Sequence, residues 1–192
     1  MTPAARAARP LALLYDRLIL LGMLAALAAI LTAAMAMQLV FGELPCPLCL
    51  LQRVAMLGCC FGLVRQLEAG ETEHGSGIAL LFALLLLVIS VRQTLLDLFP
   101  RPGHSYIGSA VFGIHMEVWS VLIAFALLLT FAVRYTLFGA PRTVPATVSP
   151  AFGRIVRFLA HYVVLVAALN LVAVVLQCGT GECHTWGYRL LR

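Results

Sequence analysis

The chain has 192 residues, of which 62% are hydrophobic and only 11% charged, and its mean hydropathy is +1.02. These values exclude an ordinary soluble domain, whose surface needs many more polar side chains. The net charge is +5 and all 13 basic residues are arginines, but they form no stripe with interleaved aromatics, so nucleic acid is not expected as a partner. The composition predicts an all-α membrane protein, since only helices satisfy the backbone of so apolar a chain in lipid.

Five apolar runs follow one another along the chain, each approaching the roughly 20 residues that a helix needs to cross about 30 Å of hydrocarbon. They occupy residues 18–41, 48–64, 78–98, 118–138 and 158–177. Polar segments containing glycine or proline, 68–77 and 139–153, are predicted to connect the second run to the third and the fourth to the fifth. We therefore predict one transmembrane domain over residues 1–192, with residues 178–192 as a tail outside the membrane.

The arginines predict the orientation of the spans, because basic residues in short loops favour the cytoplasm. Eight of them fall on the side of the N-terminus: Arg6, Arg9, Arg17, Arg65, Arg134, Arg142, Arg154 and Arg157. Only Arg101, Arg189 and Arg192 fall on the other side, while Arg53 and Arg92 lie within the ends of apolar runs. The N-terminus is therefore expected in the cytoplasm, and the C-terminal tail on the outer, oxidising side.

The first cysteine pair lies where the chain enters the second span. In Cys46-Pro47-Leu48-Cys49 the proline suits the first position of a helix, and the free amides and positive dipole of a helix start stabilise a thiolate. Arg53 lies one helical turn after Cys49, so a fixed cation would share its face. This arrangement predicts a redox-active pair; an inert disulfide with a snorkelling arginine is the alternative.

A second pair, Cys178 and Cys183, directly follows the fifth span. Two glycines between them allow a small loop to close, and exposed disulfides in flexible loops are often labile, so thiol exchange is predicted rather than a static clip. Cys59 and Cys60 lie deep in the second span, where free cysteine behaves as a small hydrophobe, so they are predicted to pack.

Polar side chains also gather at the outer ends of the third and fourth spans, where they could ring a pocket. They are Arg92, Gln93, Asp97, His115, Met116, Glu117 and Trp119. Interfacial Trp and His residues often act only as anchors, so the residues alone leave pocket and anchor equally open.

Three stretches of this sequence resemble the DsbB family of membrane quinone-linked disulfide-forming proteins. The first and most specific is Pro45-Cys46-Pro47-Leu48-Cys49-Leu50-Leu51-Gln52-Arg53; the other two span residues 92–100 and 112–119. The resemblance implies a four-helix bundle core, to which a fifth helix is added here. It also implies a quinone cofactor, either ubiquinone or menaquinone, and a periplasmic DsbA-like partner with a thioredoxin fold. The location that it implies is the bacterial inner membrane.

The resemblance assigns roles by position. Cys49 would lie next to the quinone, Cys46 would be its exchange partner, and Arg53 would polarise a quinone oxygen. Gln93 stands where family members often have histidine, and with His115 and Met116 it is expected to complete the quinone site.

The loop between the third and fourth spans departs from the family, because it contains no cysteine where the best-known members carry their second pair. Cys178 and Cys183 are the other outward pair, and we expect them to take over the relay to the partner. The catalytic set predicted from the sequence is thus Cys46, Cys49, Cys178 and Cys183.

Three other readings share these residues. The four cysteines, with His184, could form a metal site, although an oxidising compartment disfavours free thiolates. The chain could be a non-enzymatic membrane protein with static disulfides. It could also resemble vitamin K epoxide reductase, but no cysteine other than the first pair lies between the first two spans.

Overall fold

The computed structural model describes residues 3–68, 72–99, 110–138 and 149–179, together with residues 181, 183 and 188. Within these residues the chain forms five long helices: α1 (Pro3–Val40), α2 (Pro47–Glu68), α3 (Thr72–Leu98), α4 (Met116–Phe138) and α5 (Pro150–Cys178). Each contains a stretch long and apolar enough to cross a membrane. The predicted all-α membrane protein with five spans is confirmed.

Three helices begin well before the apolar runs that the sequence predicted, and the first of them, α1, begins at Pro3 instead of residue 18. Part of the expected connector 68–77 is helical from Thr72 onward, and part of 139–153 is helical from Pro150 onward. The start of α5 is explained by capping, because the Ser149 side chain accepts a hydrogen bond from the backbone N–H of Phe152 and proline fits the first turn. Polar residues in these segments therefore cap and begin helices. Residues 69–71 and 139–148 lie outside the described part of the chain.

The bundle is organised around α2, which packs against α1, α3 and α5, while α4 packs mainly against α3. Its core consists largely of leucine, alanine and methionine side chains together with Phe131. Cys59 and Cys60, which are 1% and 0% exposed, belong to this core, so their predicted packing role is confirmed. Helices α1 to α4 form the predicted four-helix core, and α5 lies against its α1 and α2 side.

A buried polar cluster closes one end of the bundle, where α1, α2, α3 and α4 meet. Arg134 forms an ion pair with Asp16 and donates a hydrogen bond of 3.0 Å to Gln66 Oε1. Arg17 donates to the Gln66 carbonyl oxygen, and Ser76 donates to the Gln66 side chain. These contacts join four helices at one end of the bundle. The first cysteine pair lies at the opposite end, which we call the cysteine end.

A short hairpin precedes α4 at the cysteine end. Strands β1 (Ala110–Val111) and β2 (Ile114–His115) pair antiparallel, and both turn residues have positive φ, 53° at Phe112 and 76° at Gly113. This is the geometry that two-residue hairpins favour, and it leaves the Phe112 side chain exposed. The sequence predicted only a connector here, of which residues 100–109 lie outside the described part.

Gly62 allows a close approach between the backbones of α2 and α3. A Cβ atom at this position would lie 2.6 Å from the Ala79 backbone nitrogen and 2.7 Å from the Gly75 carbonyl oxygen. We expect Gly62→Ala to force the helices apart and lower the free energy of unfolding by about 1–3 kcal/mol, as overpacking usually does. Thermal unfolding in detergent measures this, and Gly22→Ala, with nothing within 4 Å of its Cβ, is the control. If both variants melt alike, the helices do not approach as closely as described.

Candidate active site

Cys46 immediately precedes α2 and caps its first turn. The backbone N–H of Cys49 donates to Cys46 Sγ at 3.1 Å, and the N–H of Leu50 donates to the Cys46 carbonyl oxygen at 3.0 Å. Pro47 is the first residue of the helix, as predicted. The motif therefore places both sulfurs at the amino end of α2, where the helix dipole favours negative charge.

The two thiols of this pair are free and unequal in their surroundings. Gln93 Nε2 lies 3.4 Å from Cys49 Sγ and 3.6 Å from Cys46 Sγ. The hydrogen bond between the two thiols, followed by burial, raises the pKa of Cys46. Cys46 therefore keeps its proton and donates a hydrogen bond to Cys49. The Cys49 sulfur also accepts a hydrogen bond from Gln93.

A chain of buried side chains fixes the orientation of the Gln93 amide. Ser120 Oγ donates to Gln52 Oε1 at 3.2 Å, and Gln52 Nε2 donates to Gln93 Oε1 at 3.0 Å. With its oxygen engaged, Gln93 presents its NH₂ group to the sulfurs and also to Glu117 Oε1, at 3.3 Å. The polar chain thus joins α2, α3 and α4 around the first cysteine pair.

Arg53 is held by helices on both sides of α2. Its Nη1 donates to Gln38 Oε1 at 2.6 Å and to Asn170 Oδ1 at 3.3 Å, and its Nη2 donates to the Ala34 carbonyl oxygen at 3.0 Å. The planar guanidinium is therefore fixed by α1 and α5, not snorkelling toward an interface. Asn170 is in turn anchored through its own Nδ2 to the Val166 carbonyl oxygen.

A cavity of about 810 Å³ opens beside these groups, between α1, α2, α4 and the hairpin. Its walls are largely apolar, and the polar groups on them include Cys46, Cys49 and Arg53. The further lining residues are Ile30, Ala33, Ala34, Met37, Glu43, Leu44, Pro45, Gln52, Met56, Phe112, Met116, Glu117, Trp119, Ser120 and Ile123. A mostly apolar cavity with a few convergent polar groups is typical of a small-molecule site.

The four residues predicted to bind the cofactor take different places around this cavity. Arg53 and Met116 line it. Gln93 does not line the cavity, but from α3 its side chain contacts both sulfurs. His115 lies on β2 with its side chain exposed and is not among the lining residues.

The second pair is joined as a disulfide. Cys178 ends α5 and is bonded to Cys183, with 4.2 Å between their Cα atoms. Gln177 Nε2 donates to the Pro45 carbonyl oxygen at 3.0 Å, so the residue before Cys178 contacts the residue before Cys46. Both pairs therefore lie at the cysteine end, as the sequence predicted.

The described residues contain no group of three His, Cys, Asp or Glu side chains that could hold a metal ion. The disulfide also occupies two of the four sulfurs that the metal hypothesis needs. His184, the additional ligand considered for such a site, lies outside the described residues.

A family model described as Disulfide bond formation protein DsbB matches residues 16–105. The match covers 90 of the 192 residues, just under half of the chain. The matched range contains the first cysteine pair with Arg53 and Gln93, whereas α4, α5 and the tail disulfide lie beyond it. No curated protein and no solved structure matches the chain. The match supports the predicted resemblance to disulfide bond formation proteins, the five apolar helices indicate a multi-pass membrane protein, and the disulfide at the C-terminal end is consistent with the predicted variant.

Several residues that support this site were not assigned a role from the sequence. They are Gln38, Gln52, Ser120, Asn170 and Gln177. A signal was present, because each is a polar residue within or at the end of an apolar span, where such residues are costly without a partner. What the sequence could not supply was the pairing between helices.

Proposed function

We propose that this protein is a member of the DsbB family and a quinone-dependent thiol–disulfide oxidoreductase that reoxidises a periplasmic DsbA-like dithiol protein. One observation carries the proposal: Cys46, Cys49 and Arg53 open together into one largely apolar cavity at the amino end of α2. A thiol pair that only stapled the fold would need neither the cavity nor a fixed cation beside it.

The first exchange takes place at the tail. A thiolate of the partner attacks the Cys178–Cys183 disulfide, forming a mixed disulfide, and the second partner thiolate resolves it. The partner leaves as a disulfide, and Cys178 and Cys183 become thiols. The Gln177 contact with Pro45 supports this route because it keeps the tail beside the first pair.

The second exchange passes the electrons inward. A tail thiolate attacks Cys46 in the oxidised first pair, and Cys49 leaves as a thiolate, because the sulfur that receives more hydrogen-bond donors is the better leaving group. The second tail thiol then closes the Cys178–Cys183 bond again. Free Cys46 and Cys49 beside a closed tail disulfide correspond to the state after this transfer.

A quinone bound in the cavity would accept the two electrons of the first pair together with two protons. Arg53 would hold a quinone oxygen by charge-assisted hydrogen bonding, with its guanidinium already fixed by α1 and α5. Apolar residues of α1 and α4, such as Ala33, Met37 and Ile123, would surround the ring. Gln93 would stabilise the thiolate from the opposite side, and Met116 would add to the wall.

The proposed orientation places the cysteine end at the periplasmic face of the bacterial inner membrane, with the N-terminus in the cytoplasm. The arginine distribution supports it. The other end carries the cluster of half-buried Asp16 with buried Arg17 and Arg134. His115 is exposed on the hairpin at the cysteine end. It would therefore lie at the periplasmic face, where it would be within reach of the partner or the quinone headgroup.

Replacing both Cys178 and Cys183 with serine tests the relay. We expect oxidation of a thioredoxin-fold dithiol protein to fall at least about tenfold, because the tail supplies proximity, whereas a small dithiol should still drive quinone reduction through Cys46 and Cys49. The measurement is quinone absorbance with purified protein and each dithiol.

Trapping provides the complementary observation. With Cys178 or Cys183 left as the single tail cysteine, a mixed disulfide with the partner should accumulate. Partner oxidation that persists undiminished in the double variant would refute the relay through the tail. A wild-type protein that reduces no quinone with any dithiol would refute the proposed function itself.

A further inference from the structure

Glu117 is a buried acid at the candidate active site whose presence the electron route alone does not explain. It is 3% exposed, lies in the first turn of α4 and lines the cavity beside the first cysteine pair. Its Oε1 accepts a hydrogen bond from the same Gln93 Nε2 that contacts both sulfurs. The carboxyl group therefore lies at the cavity wall and is linked to both thiols through Gln93.

The proton balance of the site calls for such a group. When Cys46 and Cys49 form their disulfide, one S–S bond is made, two electrons leave to the quinone, and the thiol proton of Cys46 is released. Cys49 has already given its proton to water on ionising. Gln93, the side chain that touches both sulfurs, cannot carry a proton, because an amide does not titrate near neutral pH.

We propose that Glu117 is the proton carrier of this site: its carboxylate takes the proton that Cys46 gives up and passes it into the cavity. This inference rests on the proposed function and adds to it the route of one proton. The second proton that the quinone needs comes from water at the cysteine end. Re-reduction of the pair by the tail restores the Cys46 thiol and leaves Glu117 ionised, so the cycle closes.

Other charged groups near Glu117 define the alternatives. From the described parts of the neighbouring elements they are Glu43 before α2, Cys46, Cys49 and Arg53 at α2, Arg92 and Asp97 on α3, and His115 on β2. Of the carboxyl groups, Glu43 and Glu117 line the cavity. Glu117 is favoured over Glu43 because it is the buried one and shares a hydrogen-bond donor with the sulfurs.

The test compares Glu117→Gln, Glu117→Asp and Glu43→Gln in the full chain, with the exposed Glu73, changed to glutamine, as control. In rapid mixing with a soluble short-chain quinone, Glu117→Gln should oxidise its first cysteine pair about a hundredfold more slowly. Its solvent isotope effect should be at least as large as that of the wild type, because proton transfer becomes the slow step, and Glu117→Asp should recover part of the rate. Unchanged rates in Glu117→Gln, or the same loss in Glu43→Gln, would overturn the proposal.

A second measurement needs no quinone. In quinone-extracted protein at a fixed acidic pH, where Cys49 is only partly ionised, alkylation of Cys49, followed by mass spectrometry, should be faster in Glu117→Gln than in wild type. The reason is that the lost carboxylate opposed the neighbouring thiolate. An unchanged alkylation rate would overturn the proposal even if quinone reduction were slow. A wild type that reduces no quinone would instead refute the proposed function, and the alkylation result would still report on Glu117.

Discussion

A chain carrying Cys49→Ser should lose dithiol-driven quinone reduction by at least about a thousandfold, as enzymes do when their nucleophile is removed. Serine preserves the size of the side chain but cannot form a disulfide or a thiolate. Gln93 and the start of α2 would still surround this position. The hydroxyl group there, however, could not take part in thiol–disulfide exchange. Quinone absorbance under excess small dithiol measures the loss without requiring the natural partner.

The companion variant Cys46→Ser should be equally inactive but distinguishable by trapping. It leaves the Cys49 thiolate without its proton donor and without a sulfur to close on, so Cys49 should be alkylated but never become oxidised within the chain. Cys60→Ala is the matched control, because Cys60 is on the same helix and fully buried in the core. Turnover retained in either serine variant, or lost in Cys60→Ala, would contradict the assignment.

The architecture was accessible from the sequence because each span is a continuous apolar run. Length alone separates such runs from soluble helices, so the five spans needed no knowledge of contacts. The helix ends were less accessible, since α3 begins among residues that look like a polar connector, Thr72 and Glu73. Acidic residues in a first turn stabilise a helix start, and this effect competes with the turn propensity of the neighbouring glycines.

The site was accessible only in part for a different reason. Cys46, Cys49 and Arg53 lie within eight residues of one another, so one helix start fixes their relation. Asn170 and Gln177 reach the same place from α5, and no local pattern indicates which helix α5 contacts. Their contribution follows from tertiary packing alone, and it gives α5 two tasks in this chain: it holds Arg53 and it brings the tail disulfide to Pro45.

Arg53→Lys should reduce quinone turnover by about a hundredfold at a given quinone concentration, similar to the loss of one fixed donor to a developing oxyanion. Lysine keeps the charge but not the fork, so it cannot donate together to the Ala34 carbonyl, Gln38 and Asn170 as Arg53 does. The lysine ammonium would hydrogen-bond to one of these acceptors and move away from the cavity wall. Steady-state kinetics with a short-chain quinone should show the loss mainly in kcat if Arg53 acts on the reduced oxygen, and in KM if it only binds the headgroup.

Two further variants separate charge from position. Asn170→Leu leaves the cation intact but removes its α5 contact, so we expect a smaller loss, about tenfold, near the lower end of the effect of one hydrogen bond to a charged group. Arg157→Lys, an exposed residue near the other end of α5, should have no effect. If Arg53→Lys were as active as wild type, the quinone oxygen would not be held by this guanidinium. If Asn170→Leu alone were inactive, α5 would act on the site by a route other than Arg53, because loss of this one contact should cost less than loss of the whole fork.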